Sequence, residues 1–229
     1  DNYAYLADYR SGLAIIPTNA SNITGEAGNA ATLTLSSPGS TNSLGANKTI
    51  VIDGTVPTVT GVTSITANGS YHSGAVIEIK VGFSEIVNVT GTPQLTLETG
   101  SKDAVVDYSS GTGTDTLTFK YTVSADHNSP DLDYLASNSL ALNSGSIKDA
   151  AGNTATLTLV IPGGTNSLGN NKAIVVDGVE LILTGVTSTN ADSSYETDDV
   201  IAIKIGFNEN VIVTGTPQLT LETGSNDAV

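Results

Sequence analysis

The chain of 229 residues contains no cysteine, methionine or tryptophan, and it has only 8 Lys and Arg residues against 23 Asp and Glu residues. The absence of cysteine excludes disulfides and thiolate metal sites, which leaves carboxylate and carbonyl oxygens as the main metal ligands. The formal net charge of −15 repels nucleic acid and anionic lipid. Both are therefore poor partners for this chain.

Long apolar runs and catalytic constellations are also missing. No apolar run in the sequence approaches the roughly 20 residues of a membrane-spanning helix. The only histidines, His72 and His127, fall in segments that read as solvated loops, and neither has a recognisable nucleophile as a partner. The sequence therefore predicts a protein that has no membrane span and is not an enzyme.

The sequence does contain a long internal repeat. The stretch GTPQLTLETGS occurs at 91–101 and again at 215–225, and Asp53-Gly54 recurs as Asp177-Gly178, each pair 124 positions apart. This period is the size of a whole small domain rather than of a solenoid unit. We predict the C-terminal part of one repeat at 1–55, a complete repeat at 56–178 and the N-terminal part of a further repeat at 179–229. We expect the chain to be an excerpt from a longer array of such repeats.

The middle repeat alternates apolar and polar residues with the period of two that indicates half-buried strands. We predict seven strands, A to G, at 57–65, 75–84, 93–98, 103–108, 115–123, within 132–148 and at 153–160, with a further short strand at 172–176. The predicted core residues are Ile77, Ile79, Val81, Phe83, Leu117, Phe119, Tyr121 and Leu157. The sequence therefore predicts an all-β chain of tandem immunoglobulin-like antiparallel β-sandwich domains, with about seven strands per 124-residue repeat.

Four motifs of the middle repeat give the chain a family resemblance. In order they read YHSGAVIEIKVGFSEIVNVTGTPQLTLETG, GTGTDTLTFKYTV, DLDYLASNSLALNSGSIKDAAGNTATLTL and TNSLGNNKAIVVDG. The chain resembles the Ig-like repeats of giant secreted bacterial surface proteins, notably those called SWM repeats after a swimming-related cell-surface protein. The resemblance covers essentially all of the chain. It implies extender domains in adhesins and cell-surface filaments, and hence an extracellular location at the bacterial cell surface.

The predicted sandwich brings acidic residues together at one pole. Asp53 lies in the incoming linker, Glu85 ends strand B, and Asp149 and Asn153 belong to the F–G turn DAAGN. Converging carboxylates repel one another unless a cation joins them, and oxygen ligands suit calcium. We therefore predict a calcium site at this pole. The alternative interpretation is that Asp149 caps its own turn while Asp53 and Glu85 face water.

The other two repeats carry only part of this set. The third repeat has Asp177 and Glu209 as the equivalents of Asp53 and Glu85, and we include both as predicted metal ligands. The first repeat has Gly25 at the position of Asp149. We therefore expect any site in the first repeat to be weaker or missing.

Three functions remain open at this stage. The leading hypothesis is a non-catalytic extender segment of a long bacterial cell-surface or secreted adhesin-like protein, stiffened by calcium between repeats, whose partners are the neighbouring Ig-like repeats of the same chain. The second is an adhesive module that binds glycans or a host surface through the long loop from Asp8 to Asn22, with Tyr9 and Arg10. The third is a protomer of an extracellular filament that contacts like subunits.

Overall fold

The computed structural model of the chain describes residues 6–8, 12–14 and 24–224. Strands are the main regular structure of these residues, and the two helices among them are four residues long each. The expected all-β sandwich class is confirmed. The chain divides into two compact units, Asp1–Ile52 and Asp53–Val229.

The first unit has little regular structure in its described part. Strand β1 (Leu6–Asp8) pairs antiparallel with β2 (Gly12–Ala14). Helix α1 (Leu44–Asn47) is a single turn that begins after Ser43, whose side chain caps it by accepting a hydrogen bond from the N–H of Ala46. The exposed large apolar residues of this unit are Leu33, Leu35, Leu44, Ile50, Val51 and Ile52.

The second unit contains the remaining elements. They are β3 (Val59–Ser64), β4 (Gly69–His72), β5 (Val76–Thr90), β6 (Gln94–Glu98), β7 (Ala104–Ser110), β8 (Thr114–Thr122), β9 (Asn128–Ser129), β10 (Asp133–Tyr134), β11 (Leu140–Ala141), β12 (Ser146–Lys148), α2 (Leu168–Asn171), β13 (Ile174–Asp177), β14 (Leu183–Ser188) and β15 (Ile203–Phe207).

The 15-residue strand β5 organises the main sheet. On one side it pairs antiparallel with β8, which places Ile79 opposite Phe119 and Val81 opposite Leu117. On its other side β5 pairs first with β3 and then with β12. Within the same sheet, β8 also pairs with β7, and β7 pairs with β6. The far edge of β6 pairs with the short strands β10 and β11. The sheet therefore curls around a single core.

A small three-stranded sheet forms where the chain leaves the middle repeat. Strand β13 lies between β4, with which it is parallel, and β9, with which it is antiparallel. Directly after β13, the N–H of Gly178 donates a hydrogen bond to the carbonyl oxygen of His127 (2.7 Å). A Cβ at position 178 would overlap the carbonyl oxygen of Ser124. Only glycine therefore fits this close approach.

One core cluster lies between these sheets. Every predicted core residue except Leu157 is buried, and the alternation of β5 and β8 is thereby confirmed. Leu157 is only partly buried, whereas Ala155 and Leu159 on the same side of the chain are fully buried. The second half of the repeat contributes Leu132, Tyr134, Leu140, Ile147, Leu168, Ile174 and Val176. Removal of this apolar surface from water is the main term that stabilises a domain of this size.

Three of the predicted strands differ in the structure. Strand B does not end near residue 84 but continues to Thr90 through a register irregularity between Gly82 and Val87. Predicted strand F is divided into the short strands β10, β11 and β12. Predicted strand G, at 153–160, forms only isolated bridges, because its backbone groups bond in turn to Ile147, Pro57 and Ser137 rather than to one neighbouring strand.

The third repeat reproduces the first hairpin of the middle repeat. Strands β14 and β15 pair with Leu183 opposite Phe207 and Val186 opposite Ile205. The corresponding pairs of β3 and β5, 124 positions earlier, have the same register and the same irregularity after the first pair. The repeat in sequence is therefore also a repeat in backbone pairing.

Candidate functional site

The turn at residues 149–153 is built around the carboxylate of Asp149. Its Oδ1 accepts hydrogen bonds from the N–H groups of Gly152 (2.7 Å) and Asn153 (2.8 Å). The backbone N–H of Asp149 donates to the carbonyl oxygen of Asn153 (3.1 Å). Gly152 has φ of +97°, a left-handed conformation that glycine adopts without strain. The predicted turn-capping role of Asp149 is therefore present in the structure.

Asn153 connects this turn to the chain that enters the middle repeat. Its side-chain Nδ2 donates to Oδ2 of Asp149 (2.7 Å) and to the backbone carbonyl oxygen of Asp53 (3.1 Å). The Asp53 carboxylate in turn accepts a hydrogen bond from the N–H of Thr55 (3.0 Å). The two hydrogen bonds of the Asn153 side chain thus hold residue 53 beside the 149–153 turn.

Glu85 completes the cluster from β5. It lies two residues from each of the buried side chains Phe83 and Val87, within the irregular stretch of the strand, and it is half-buried. Oxygen atoms of the Asp53, Glu85 and Asp149 carboxylates lie within 4.8 Å of one another. The Oε1 atom of Glu85 is buried and has no hydrogen-bond partner. The structure therefore brings together the four residues Asp53, Glu85, Asp149 and Asn153.

The pKa values of Glu85 and Asp149 are shifted in opposite directions. Desolvation raises the pKa of Glu85, and the negative charges of Asp53 and Asp149 raise it further. For Asp149, desolvation acts in the same direction, but hydrogen bonds from the Asn153 side chain and from backbone N–H groups of the turn outweigh it and lower its pKa. Asp149 is thus stabilised as an anion, whereas ionised Glu85 is unfavourable without a compensating charge.

This arrangement is suited to holding a hard cation. Three carboxylates with an adjacent amide and backbone carbonyls supply the oxygen ligands that calcium prefers. A divalent cation would compensate the repulsion that raises the pKa of Glu85 and would give its Oε1 a partner. The cluster offers no pairing of a nucleophile with a base.

The two predicted ligands of the third repeat do not form such a cluster. Asp177 ends β13, and its Oδ1 accepts a hydrogen bond from the N–H of Val179 (3.2 Å), which repeats the contact between Asp53 and Thr55. Glu209 is exposed. Within residues 24–224, the group of three or more potential ligands is formed by Asp53, Glu85 and Asp149, and neither Asp177 nor Glu209 joins it.

In the first repeat, two segments bear on the predictions: the turn equivalent to residues 149–153 and the long loop from Asp8 to Asn22. At the position of the 149–153 turn, Gly25 donates through its N–H to the carbonyl oxygen of Asn29 (2.8 Å) and has no carboxylate to offer. In the long loop predicted to bind a surface, Tyr9, Arg10 and residues 15–22 lie outside the described residues.

A buried pair that the sequence did not indicate lies where the chain leaves the middle repeat. His127 is 6% exposed, so its prediction as a solvated loop residue was wrong, whereas His72 is exposed as expected. The Nδ1 atom of His127 lies 2.9 Å from the hydroxyl of Tyr121 and accepts a hydrogen bond from the N–H of Ser124 (3.3 Å). Its ring stacks on Tyr121 with centroids 5.6 Å apart.

The surroundings of His127 favour its neutral form. Desolvation lowers its pKa, nearby Lys102 lowers it further, and Asp126 opposes both effects. Acceptance of the Ser124 N–H also requires Nδ1 without a proton. Burial raises the pKa of Tyr121 to about 12. The pair is therefore uncharged at neutral pH.

Comparison with known proteins identifies no family or relative of this chain. The sequence matches no protein-family model, and no curated protein or solved structure is significantly similar to it. In the described part of the chain, no helix has the length and apolar character needed to cross a bilayer.

Proposed function

We propose that the chain is a non-catalytic extender segment of a long, secreted or surface-attached bacterial adhesin-like protein, built from tandem Ig-like repeats. The observation that carries this proposal is the exact structural repetition of the hairpin β3–β5 as β14–β15, with the same register and the same irregularity. A protein that repeats a whole domain along one chain gains reach with each copy. Strands of about seven residues, rising about 3.3 Å per residue, give each repeat a body of about 25 Å.

The proposal includes a calcium ion at the pole where the chain enters the middle repeat. It is supported by the three carboxylates of Asp53, Glu85 and Asp149 and by the unpartnered Oε1 of Glu85. Asp53 precedes the first strand of the repeat, whereas Glu85 and Asp149 belong to its body. A cation shared by these residues would fix the entering chain to the sandwich and stiffen the array.

The extender role is tested with chains that carry one, two and three copies of residues 53–176, followed by Asp177 and Gly178, so that each junction keeps the natural period. We expect the maximum dimension from small-angle scattering in calcium to rise by a constant increment with each copy. A glycan array and a cell-binding assay on the 229-residue chain should show no saturable binding. Saturable binding to a glycan or a host surface would contradict the extender role and favour the adhesive hypothesis.

The calcium component is tested by substitution of Glu85. Without calcium, Glu85→Gln should raise the melting temperature, because it removes the carboxylate whose ionised form is disfavoured by desolvation and by its two neighbours. In calcium the same variant should melt below the wild type, because a ligand is lost. Extracellular modules bind calcium with dissociation constants of about 10⁻⁴–10⁻³ M.

The matched control for charge is Asp103→Asn, which removes an exposed carboxylate outside the cluster. Asp103→Asn should keep the wild-type response to calcium. An equal response of Glu85→Gln and Asp103→Asn to calcium would show that the cation, if bound, is not held by this cluster.

A further inference from the structure

The turn that leads into β4 contains the only asparagine-glycine pair of the sequence, Asn68-Gly69. Both residues are exposed. Gly69 has φ of +152°, a conformation that glycine adopts without strain. Because glycine has no Cβ, its backbone nitrogen can approach the side-chain carbonyl carbon of a preceding asparagine without a steric obstacle. Such a pair is therefore chemically labile wherever its backbone is free to move.

Ala173, the residue before β13, holds both of the groups that would react. Oδ1 of Asn68 accepts a hydrogen bond from the N–H of Ala173 (3.2 Å). The N–H of Gly69 donates to the carbonyl oxygen of Ala173 (3.0 Å). These bonds begin the parallel pairing of β4 with β13, in which Gly69 lies opposite Ile174. The nitrogen of Gly69 is thus not free to attack the Asn68 side chain while the two strands are paired.

The third repeat contains the same turn without this contact. In both turns a tyrosine hydroxyl donates to the carbonyl oxygen of the alanine four residues earlier, at Tyr71 (2.8 Å) and at Tyr195 (2.6 Å). The third repeat has Asp192 and Ser193 in place of the asparagine-glycine pair. Within residues 24–224, the backbone of these two residues makes no hydrogen bond to another segment. A carboxylate is therefore compatible with the turn.

We propose that Asn68 is a site of spontaneous deamidation, and that the reaction requires β4 to separate from β13. The Gly69 nitrogen loses its proton and bonds to Cγ of Asn68, the bond from Cγ to the side-chain nitrogen breaks, and ammonia leaves. Water then opens the cyclic imide at either carbonyl, which gives aspartate or isoaspartate. The proposal rests neither on the acidic cluster nor on the extender role.

The two products differ in their effect on the sheet. Aspartate at position 68 keeps an oxygen that can accept the N–H of Ala173. Isoaspartate carries the main chain through the side-chain carbon, which adds one backbone atom between residues 68 and 69. The register of β4 against β13 is then lost at its first pair. We expect hydrogen exchange of the Gly69 amide to be faster in the isoaspartate product than in Asn68→Asp.

The experiment incubates the 229-residue chain in mildly alkaline buffer and follows deamidation by tryptic digestion and mass spectrometry. The tryptic peptide 49–80 contains Asn68 as its only asparagine and no glutamine, so its gain in mass assigns the site. A synthetic peptide of residues 64–76 and the chain unfolded in urea give the unprotected rate. We expect the folded chain to react at least about tenfold more slowly than both.

Two variants test the part played by Ala173. The double variant Asp192→Asn, Ser193→Gly places the labile pair in the third repeat, where it should react at close to the peptide rate. Ala173→Pro removes the N–H that Asn68 accepts and should accelerate deamidation of Asn68. The extended conformation of Lys172, with φ of −142° and ψ of 138°, is compatible with a following proline.

Several results would overturn the proposal. An unchanged mass of peptide 49–80 from the urea-unfolded chain would exclude the site. Equal rates in the folded and unfolded chain would exclude protection by the strand pairing, and a slow reaction in the double variant would exclude the assignment to Ala173. Should Ala173→Pro unfold the repeat, low concentrations of urea decide the matter. Deamidation that does not rise with hydrogen exchange of the Gly69 amide would then contradict the proposal.

Discussion

Nδ1 of His127 lies 2.9 Å from the hydroxyl of Tyr121, and the two rings stack with their planes 29° apart. The carbonyl oxygen of the same histidine accepts a hydrogen bond from the N–H of Gly178 (2.7 Å), at the point where the chain leaves the middle repeat. A single residue of the 124–128 turn therefore joins the core strand β8 to the segment that leaves the repeat.

We predict that the middle repeat loses stability in mild acid through His127. The pKa of His127 is lowered by folding, so its contribution is complete above the unfolded value of 6.5 and is lost as the pH falls through the lower folded value. His127→Asn keeps an acceptor for the Ser124 N–H and does not titrate in this range. Denaturant unfolding at about pH 8 and about pH 5 should show a smaller pH dependence in this variant.

The control for the acid response is His72→Asn, since His72 is exposed and its Nδ1 contacts only the adjacent carbonyl oxygen of Ser73. This variant should retain the wild-type pH dependence. Groups near His127 that also titrate or carry charge are Tyr121, Lys102, Asp126, Asp103, Asp107 and Lys120. If His127→Asn and the wild type respond equally to pH, these groups rather than His127 set the response.

Phe83 and Phe207 form a matched pair for core truncation. Phe83 is buried in β5, whereas Phe207 occupies the equivalent position of β15 and is exposed. We predict that Phe83→Ala lowers the free energy of unfolding by about 3–5 kcal/mol. Phe207→Ala should cost about 1 kcal/mol or less. Similar losses for both substitutions, measured by urea denaturation, would mean that the third repeat is packed as tightly as the middle one.

Gly178 fixes the exit of the chain from the middle repeat. A methyl group at this position would overlap the carbonyl oxygen of Ser124 and lie 2.8 Å from that of His127. Gly178→Ala should therefore destabilise the repeat by about 1–3 kcal/mol, as overpacking does. At Gly185 a Cβ would meet nothing within 4 Å, and Gly185→Ala should be nearly neutral in the same thermal-melting measurement. No loss of stability in Gly178→Ala would show that the segment after β13 can move away from Ser124 at no cost.

Much of the fold could be predicted from local patterns, because β5 and β8 each bury one face and alternate accordingly. The segment at 153–160 shows the limit of this signal. Its residues Ala155, Leu157 and Leu159 do turn to one side, but alternation reports the direction of side chains and not the backbone partners. The backbone of this segment bonds to several separate segments, so no ladder forms.

The candidate site was predictable in part for a related reason. Asp149 and Asn153 belong to one turn whose chemistry is local, and the DAAGN motif indicates it. Glu85 was placed at a strand end, whereas it lies in an irregular stretch within a longer strand, and sequence alone does not separate these two cases. His127 packs against Tyr121, six residues earlier, and its carbonyl oxygen bonds to the N–H of Gly178 after β13. The second of these contacts joins segments that are distant in the sequence, and no local pattern reports it.

Small-angle scattering of the 229-residue chain, with and without calcium, tests the proposed calcium-stiffened extender most directly. We predict that calcium increases the maximum dimension and narrows the distribution of distances, that chelator reverses the change, and that Asp149→Asn with Glu85→Gln abolishes it. Identical scattering profiles and melting temperatures with calcium and with chelator would contradict the account.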